Sequence, residues 1–395
     1  MNAQRRACVS RCLLIAMSVC AAHADEARPL REAIDAAVQP LIEQRWSVAV
    51  AVGVITPAGR SVYGYGETRQ HNDERPTGDT LFEIGSITKT FTGLVLAQLV
   101  EDGVMAYDTP IASYLPPGAK APAYNGQPIT IEHLVTHTSG LPRNPPDLFD
   151  WGHLRSLHSL FNPFQEYTPE RLYGLLARIE LDRAPGAKYA YSNLGAGLLG
   201  HILALKTGRS YEELVLERVC RPLGMKDTCI GPNADQRKRI APGYIQILAP
   251  PYAAPPYPTS YEPPLLAGAG WLRSTPNDML TYLAANIGLI ETDWAQVIES
   301  THRLRCKTSK TGGVGVFWQL NRREDLGGTV VSHTGSTGGY MSYAGFVERR
   351  RVGVIVLSSG YRSVAGAGRR ILEALAGEAT AEDDRDGMDK VRTAR

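Results

Sequence analysis

Ser86-Ile87-Thr88-Lys89 is the one place in the 395-residue chain where lysine stands three positions after serine. Around it Ile87, Phe91, Leu94, Val95 and Leu99 recur at helical spacing, so residues 86–102 read as a buried helix that stops at Gly103. On such a helix positions i and i+3 share a face, which brings the Lys89 amine within reach of the Ser86 hydroxyl. Ser86 also falls in the first turn, where backbone N–H groups are unpaired and the dipole is positive. An oxyanion formed there would meet ready donors. Taken alone the spacing is weak, because chance supplies about one such match in a chain of this size.

Working outward, Leu30, Ile34, Ala37, Val38, Leu41 and Ile42 predict an amphipathic helix over 29–45. Strand-like runs follow at Ser47–Ile55 and Ser61–Gly66, separated by the turn Pro57-Ala58-Gly59. From about 105 to 310 helical patterns are broken by Pro-rich loops, the longest at 139–166 and 247–266. The last third returns to strands at Val314–Asn321, Gly328–His333, Met341–Glu348 and Val352–Ser358, then a helix over 363–377. The pattern predicts an α/β (α+β) protein with one antiparallel sheet closed by the two chain ends. Residues 25–104 and 311–377 would form the sheet domain, 105–310 a mainly helical domain with long loops, and 378–395 a mobile polar tail.

Composition narrows the function classes. Hydrophobic residues make up 43% and charged residues 21%, the balance of a packed globular protein. Removing the three arginines of residues 1–24 takes the formal net charge from +2 to −1. With no clustered basic stripe, nucleic acid is not an expected partner. Those first residues read as an export signal: Arg5, Arg6 and Arg11, the apolar run Leu13–Val19, then Ala22-His23-Ala24 for cleavage before Asp25. The expected outcome is export, with no integral span in the mature form. Cys8, Cys12 and Cys20 would leave with the signal, and Cys220–Cys229 is the nearest pairing for a disulfide. No metal is expected: His153 and His158 stand five apart, which does not put both on one helical face.

Two further stretches carry chemistry. Tyr191-Ser192-Asn193 is the chain's only Tyr-x-Asn, lying between the turn Ala184-Pro185-Gly186 and the Gly-rich helical start Leu194–Gly200. A phenol is a poor base near its free pKa of about 10, but adjacent cations favour phenolate. His333-Thr334-Gly335 ends a predicted strand and runs into Ser336-Thr337-Gly338-Gly339. Such a strand could offer a cation, a hydroxyl and a backbone N–H to a substrate carboxylate. Alone, the first also reads as a loop tyrosine with an Asn turn and the second as a glycine-rich turn.

Together, in this order, the three motifs resemble those of the penicillin-recognising serine hydrolases, whose S-x-x-K signature occurs in related enzymes. Tyr-x-Asn as the second element resembles class C β-lactamases and the DD-peptidases allied to them. So do Leu134-Val135-Thr136-His137-Thr138-Ser139-Gly140-Leu141-Pro142, Arg221-Pro222-Leu223-Gly224-Met225, and Ser274-Thr275-Pro276 with Asp278-Met279. Tyr65-Gly66-Glu67-Thr68-Arg69 and Pro116-Pro117-Gly118-Ala119 with Tyr124-Asn125-Gly126 are similar to the AmpH-type D-alanyl-D-alanine carboxypeptidase/endopeptidases. The resemblance covers most of residues 30–375.

It implies a β-lactamase/transpeptidase-like fold and a periplasmic serine hydrolase that forms an acyl-enzyme on D-Ala-D-Ala type peptidoglycan peptides. Ser86 would be the nucleophile, Lys89 and Tyr191 the proton-transfer set, and the Ser86 and Ser336 N–H groups the oxyanion hole. Asn193 would orient the substrate amide, while His333, Thr334 and Gly335 receive its carboxylate. No metal or organic cofactor is called for. The usual third motif of these enzymes is Lys-Thr-Gly. Histidine in its place weakens the permanent charge, which disfavours β-lactam hydrolysis. The alternatives are a class C-like β-lactamase, a family esterase, and a non-catalytic penicillin-binding sensor.

Overall fold

The computed structural model describes residues 29–148, 163–244 and 261–377. The export signal, His153 and His158, the polar tail and parts of both long loops lie outside these residues. The first described element, helix α1 (29–43), leads into strands β1 (Ser47–Thr56) and β2 (Gly59–Gly66). The remaining sheet strands come from the far end of the chain. They are β3 (Cys306–Lys307), β4 (Gly312–Val314), β5 (Gln319–Arg323), β6 (Gly328–Thr337), β7 (Tyr340–Val347) and β8 (Val352–Gly360). The eight-stranded sheet has the order β2-β1-β8-β7-β6-β5-β4-β3, and every neighbouring pair is antiparallel. The two chain ends meet where β1 pairs with β8.

Both sheet faces are covered, which is why β8 is buried at every position. Val50, Val52 and Val54 of β1 and Val352, Val354 and Val356 of β8 join one cluster with Ile34, Val38, Ile371 and Leu372 of the terminal helices α1 and 365–377. The alternate residues Ala49, Ala51, Ile355 and Leu357 face the main core. That core surrounds the helix Thr88–Glu101, whose residues from Thr88 to Leu99 are all buried. A helix buried all round desolvates any ionisable side chain it carries, here Lys89. The site chemistry begins with that packing.

Two expectations are corrected. Val314–Asn321 is not one strand: β4 and β5 are separated by a tight turn in which Phe317 has φ 64°. Val316 N–H donates to Thr301 O and Phe317 N–H to Val135 O, so this apolar run plugs the core instead of extending the ladder. Nor are Cys220 and Cys229 bridged; both are free and buried. Cys220 ends a π-helical turn within the main core, while Cys229 is held by a two-way backbone bridge to Arg273 and packs with Leu81 and Ile240. Among the described residues no helix is long and apolar enough to cross a membrane.

Candidate active site

The expected helix over 86–102 begins differently: Gly85–Ile87 forms a 3-10 turn that runs directly into the α-helix Thr88–Glu101. The tighter turn still leaves Lys89 beside Ser86. Lys89 Nζ donates to Ser86 Oγ at 3.0 Å, to Asn193 Oδ1 at 2.9 Å and to the Ala269 carbonyl. The amine is fully buried, and burial first, the Arg143 guanidinium second, hold its proton affinity well below that of an ordinary lysine.

Asn193 opens the helix Asn193–Thr207, capped by Ser192. Ser192 Oγ accepts from Gly195 N at 2.8 Å and donates to Pro142 O at 2.7 Å, tying the helix start to the 137–144 segment. Tyr191 therefore projects from a fixed backbone. Its ring lies 4.3 Å from that of His137, 5.0 Å from Lys89 Nζ and 5.1 Å from the Arg143 guanidinium, and its hydroxyl is hydrogen-bonded to Ser86. Burial pushes the phenol up to about 12, against the opposing effects of the Ser86 bond and Arg143. Nearby cations do not make it a phenolate: desolvation outweighs them.

β6 brings the third motif to the nucleophile turn by backbone contact. A Cβ on Gly335 would stand 2.0 Å from Ile84 O and 2.2 Å from Ser342 Oγ, and one on Gly85 would stand 2.6 Å from Ser336 N. Gly85 also has φ +51°, a conformation that disfavours side chains. Two glycines facing each other thus let the Ser336 amide reach the turn that carries Ser86. Thr334 is half-buried beside it.

His333 is held as a neutral ring. Its ring is buried, and Nδ1 donates to the Thr334 carbonyl at 2.7 Å, leaving Nε2 as an unprotonated acceptor with no partner among the described residues. Burial first, then the charge of Lys89, push His333 down to about 3, only partly opposed by the Thr334 carbonyl. The strand brings no standing positive charge to the site. Among the described residues, no three His, Cys, Asp or Glu side chains gather into a metal-binding set.

Residues 34–378 match the family model described as Beta-lactamase. The chain belongs to the beta-lactamase family. It is a serine hydrolase, as the relatives of this family are. It is 30% identical over 380 residues to the D-alanyl-D-alanine-carboxypeptidase/endopeptidase AmpH of Escherichia coli (strain K12), covering 89% of this chain and 91% of that relative. A beta-lactamase of Pseudomonas fluorescens is 26% identical over 367 residues, covering 84% of this chain and 94% of its own length. Among solved structures, a beta-lactamase/D-alanine carboxypeptidase from Yersinia pestis complexed with citrate has a TM-score of 0.73 at 26% identity, covering 89% and 99% of the two chains. A class C beta lactamase with a TM-score of 0.76 at 23% identity shares the beta-lactamase fold.

Several residues at this beta-lactamase-family site escape sequence reasoning. His137 accepts the Ser192 N–H on Nδ1 at 3.2 Å while its ring backs Tyr191; its place in the phrase 134–142 is the signal. Asn144, which accepts from Asn193 Nδ2 at 2.8 Å, and Arg143 follow that phrase directly. The Ala269 carbonyl has no sequence signal at all.

Proposed function

We propose that this chain is an exported DD-peptidase that cleaves D-Ala-D-Ala type bonds of peptidoglycan peptides through an acyl-enzyme on Ser86. The observation that carries the reading is the opposed pair around one hydroxyl: a buried amine that releases its proton easily and a buried phenol that keeps it. Groups pushed apart in this way divide into base and acid. Neutral Lys89 takes the Ser86 proton as Oγ attacks the scissile carbonyl carbon. The N–H groups of Ser86 and Ser336 hold the oxyanion. Tyr191 gives its proton to the leaving nitrogen as the C–N bond breaks and recovers one from Lys89. Water then releases the acyl group by the reverse relay.

Asn193, held between Lys89 and Asn144, presents its amide to the substrate backbone. Thr334 and Gly335 receive the terminal carboxylate beside a neutral His333. That neutrality, with the likeness to AmpH, favours a peptide over a β-lactam. The arginine-bearing and apolar leader 1–24 supports export to the periplasm. A β-lactamase is the second reading, favoured by the Pseudomonas relative.

The deciding experiment is intact-protein mass spectrometry after a penicillin, with the adduct mapped by peptide digestion, followed by analysis of D-alanine release from muropeptides. The expected result is an adduct on Ser86 that decays slowly and muropeptides that lose D-alanine. Rapid decay without muropeptide cleavage makes the enzyme a β-lactamase, and a permanent adduct makes it a sensor. Hydrolysis of simple esters with no adduct points to an esterase.

Gly335→Ala is expected to lower turnover on whichever of these substrates is cut by about 100-fold, the cost of a displaced oxyanion donor. Its methyl group must push the Ile84 carbonyl away, so about 1–3 kcal/mol of stability should go with it. Steady-state kinetics and urea unfolding of the same variant check both; an alanine variant with parental kcat/KM would remove Ser336 from the oxyanion hole.

A further inference from the structure

The site gathers an amine, two phenols and two imidazoles in Lys89, Tyr189, Tyr191, His137 and His333. Among the described residues, no carboxylate acts on Lys89, Tyr191, His137 or His333. Family relatives with lysine in the third motif would have a cation there, and the neutral imidazole of His333 supplies none.

We propose that Arg143 supplies the standing positive charge of this site, as a positioning residue acting through Tyr191 and Lys89. Its guanidinium lies 5.1 Å from the Tyr191 ring centroid, and Lys89 Nζ lies 5.0 Å from the same centroid. A guanidinium stays charged at every pH of interest and favours an aromatic face. Its backbone is fixed: the Arg143 carbonyl accepts the N–H groups of Asn193 at 2.7 Å and Leu194 at 3.3 Å, at the start of the helix that Tyr191 and Asn193 border. The segment that presents Tyr191 and the segment that presents Arg143 therefore move as one.

The charge is also uncompensated. Arg143 is exposed and opens on a cavity of about 760 Å³ that it shares with Tyr191, Asp147, Arg178 and Arg183. Arg178 faces Asp147 at 4.0 Å and Arg183 faces Asp182 at 3.3 Å. Among the described residues Arg143 has no such acid. A fixed cation disfavours the protonated amine and favours the phenolate, so it lowers the proton affinity of Lys89, Tyr191 and His137 together. Its work is to keep Lys89 a free amine at neutral pH and to ease proton release from Tyr191.

The assignment rests on the peptidase reading above, and the test separates the two. Acylation is followed from pH 4.5 to 9 with a fluorescent penicillin, which carries a carboxylate, and with p-nitrophenyl acetate, which does not. In Arg143→Gln both rates should fall about three- to tenfold on the acid limb, which should move up by about half to one pH unit, a shift discounted for exposure. Arg143→Lys should keep the limb within about 0.3 unit of the parent, because it restores the charge. An unmoved limb in Arg143→Gln overturns the assignment while leaving the peptidase reading intact. Slowing of the penicillin alone also overturns it, since it would mean direct contact with the substrate carboxylate. A parent enzyme that neither probe acylates sinks the peptidase reading and this one with it.

Discussion

Replacing Lys89 with methionine is expected to cut turnover at least about a thousandfold while leaving stability within about 2 kcal/mol of the parent. The two outcomes separate because opposite terms act on the fold. Methionine fills the same buried channel and removes the cost of burying an amine whose proton affinity burial holds well below the ordinary value. Against this, Asn193 Oδ1 and the Ala269 carbonyl lose their donor, at about 1–3 kcal/mol each if left unpaired. Chemistry has no such compensation, because nothing else hydrogen-bonded to Ser86 can take its proton: Tyr191 is a phenol pushed up to about 12. Ser86→Ala is the companion variant. It removes a half-buried hydroxyl that partners Lys89 and the Tyr191 hydroxyl, so its stability should stay within about 1 kcal/mol, and no penicillin adduct should form. Adduct yield, kcat/KM and urea midpoints measured on both variants check the pair. A Lys89→Met enzyme with more than a tenth of parental activity would show that another group deprotonates Ser86.

What could be read from the residues depended on whether the physical signal is local. Alternation in Val50, Val52 and Val54 is a two-residue rhythm, and it located β1 without help from the rest of the chain. Val316, Phe317 and Trp318 are just as apolar, but their hydrophobicity reports burial in a turn under the core, which looks the same as a strand in one dimension. The motif residues Ser86, Lys89, Tyr191 and Asn193 do converge, because helix spacing and a capped helix start place them. Their charges were another matter. The state of His333 follows from a fully enclosed ring and one carbonyl, neither visible in His-Thr-Gly. Arg143, an exposed loop arginine, carries no periodicity to mark it. Cys220 and Cys229 show the same limit, since nine residues of separation say nothing about which cluster each side chain enters.

Acidification from pH 7.5 to 5.5 is expected to destabilise the protein steeply, with His333 alone contributing a slope of about 1.4 kcal/mol per pH unit below about pH 6.5. In the unfolded chain a histidine binds a proton near pH 6.5. In the fold His333 is pushed down to about 3, so throughout this window the unfolded state holds the extra proton. Stability from this source is complete above the unfolded value and drains away as pH falls toward the folded one. His137 is held well below its ordinary value by burial, and Lys89 well below its own, so both act with the same sign. Asp278, raised by burial, opposes them. Urea midpoints at pH 7.5, 6.5 and 5.5 measure the total, and His333→Asn isolates one share. The variant should lose the His333 slope and keep the remainder, even where its stability at pH 7.5 is lower. An unchanged slope would mean that His333 is protonated in the fold, and the neutral strand on which the preference for peptides rests would go with it. Three bases crowded around one phenol without a carboxylate are tolerable only while they stay neutral. The same burial that primes Lys89 to accept a proton from Ser86 therefore sets the lower pH limit of the fold.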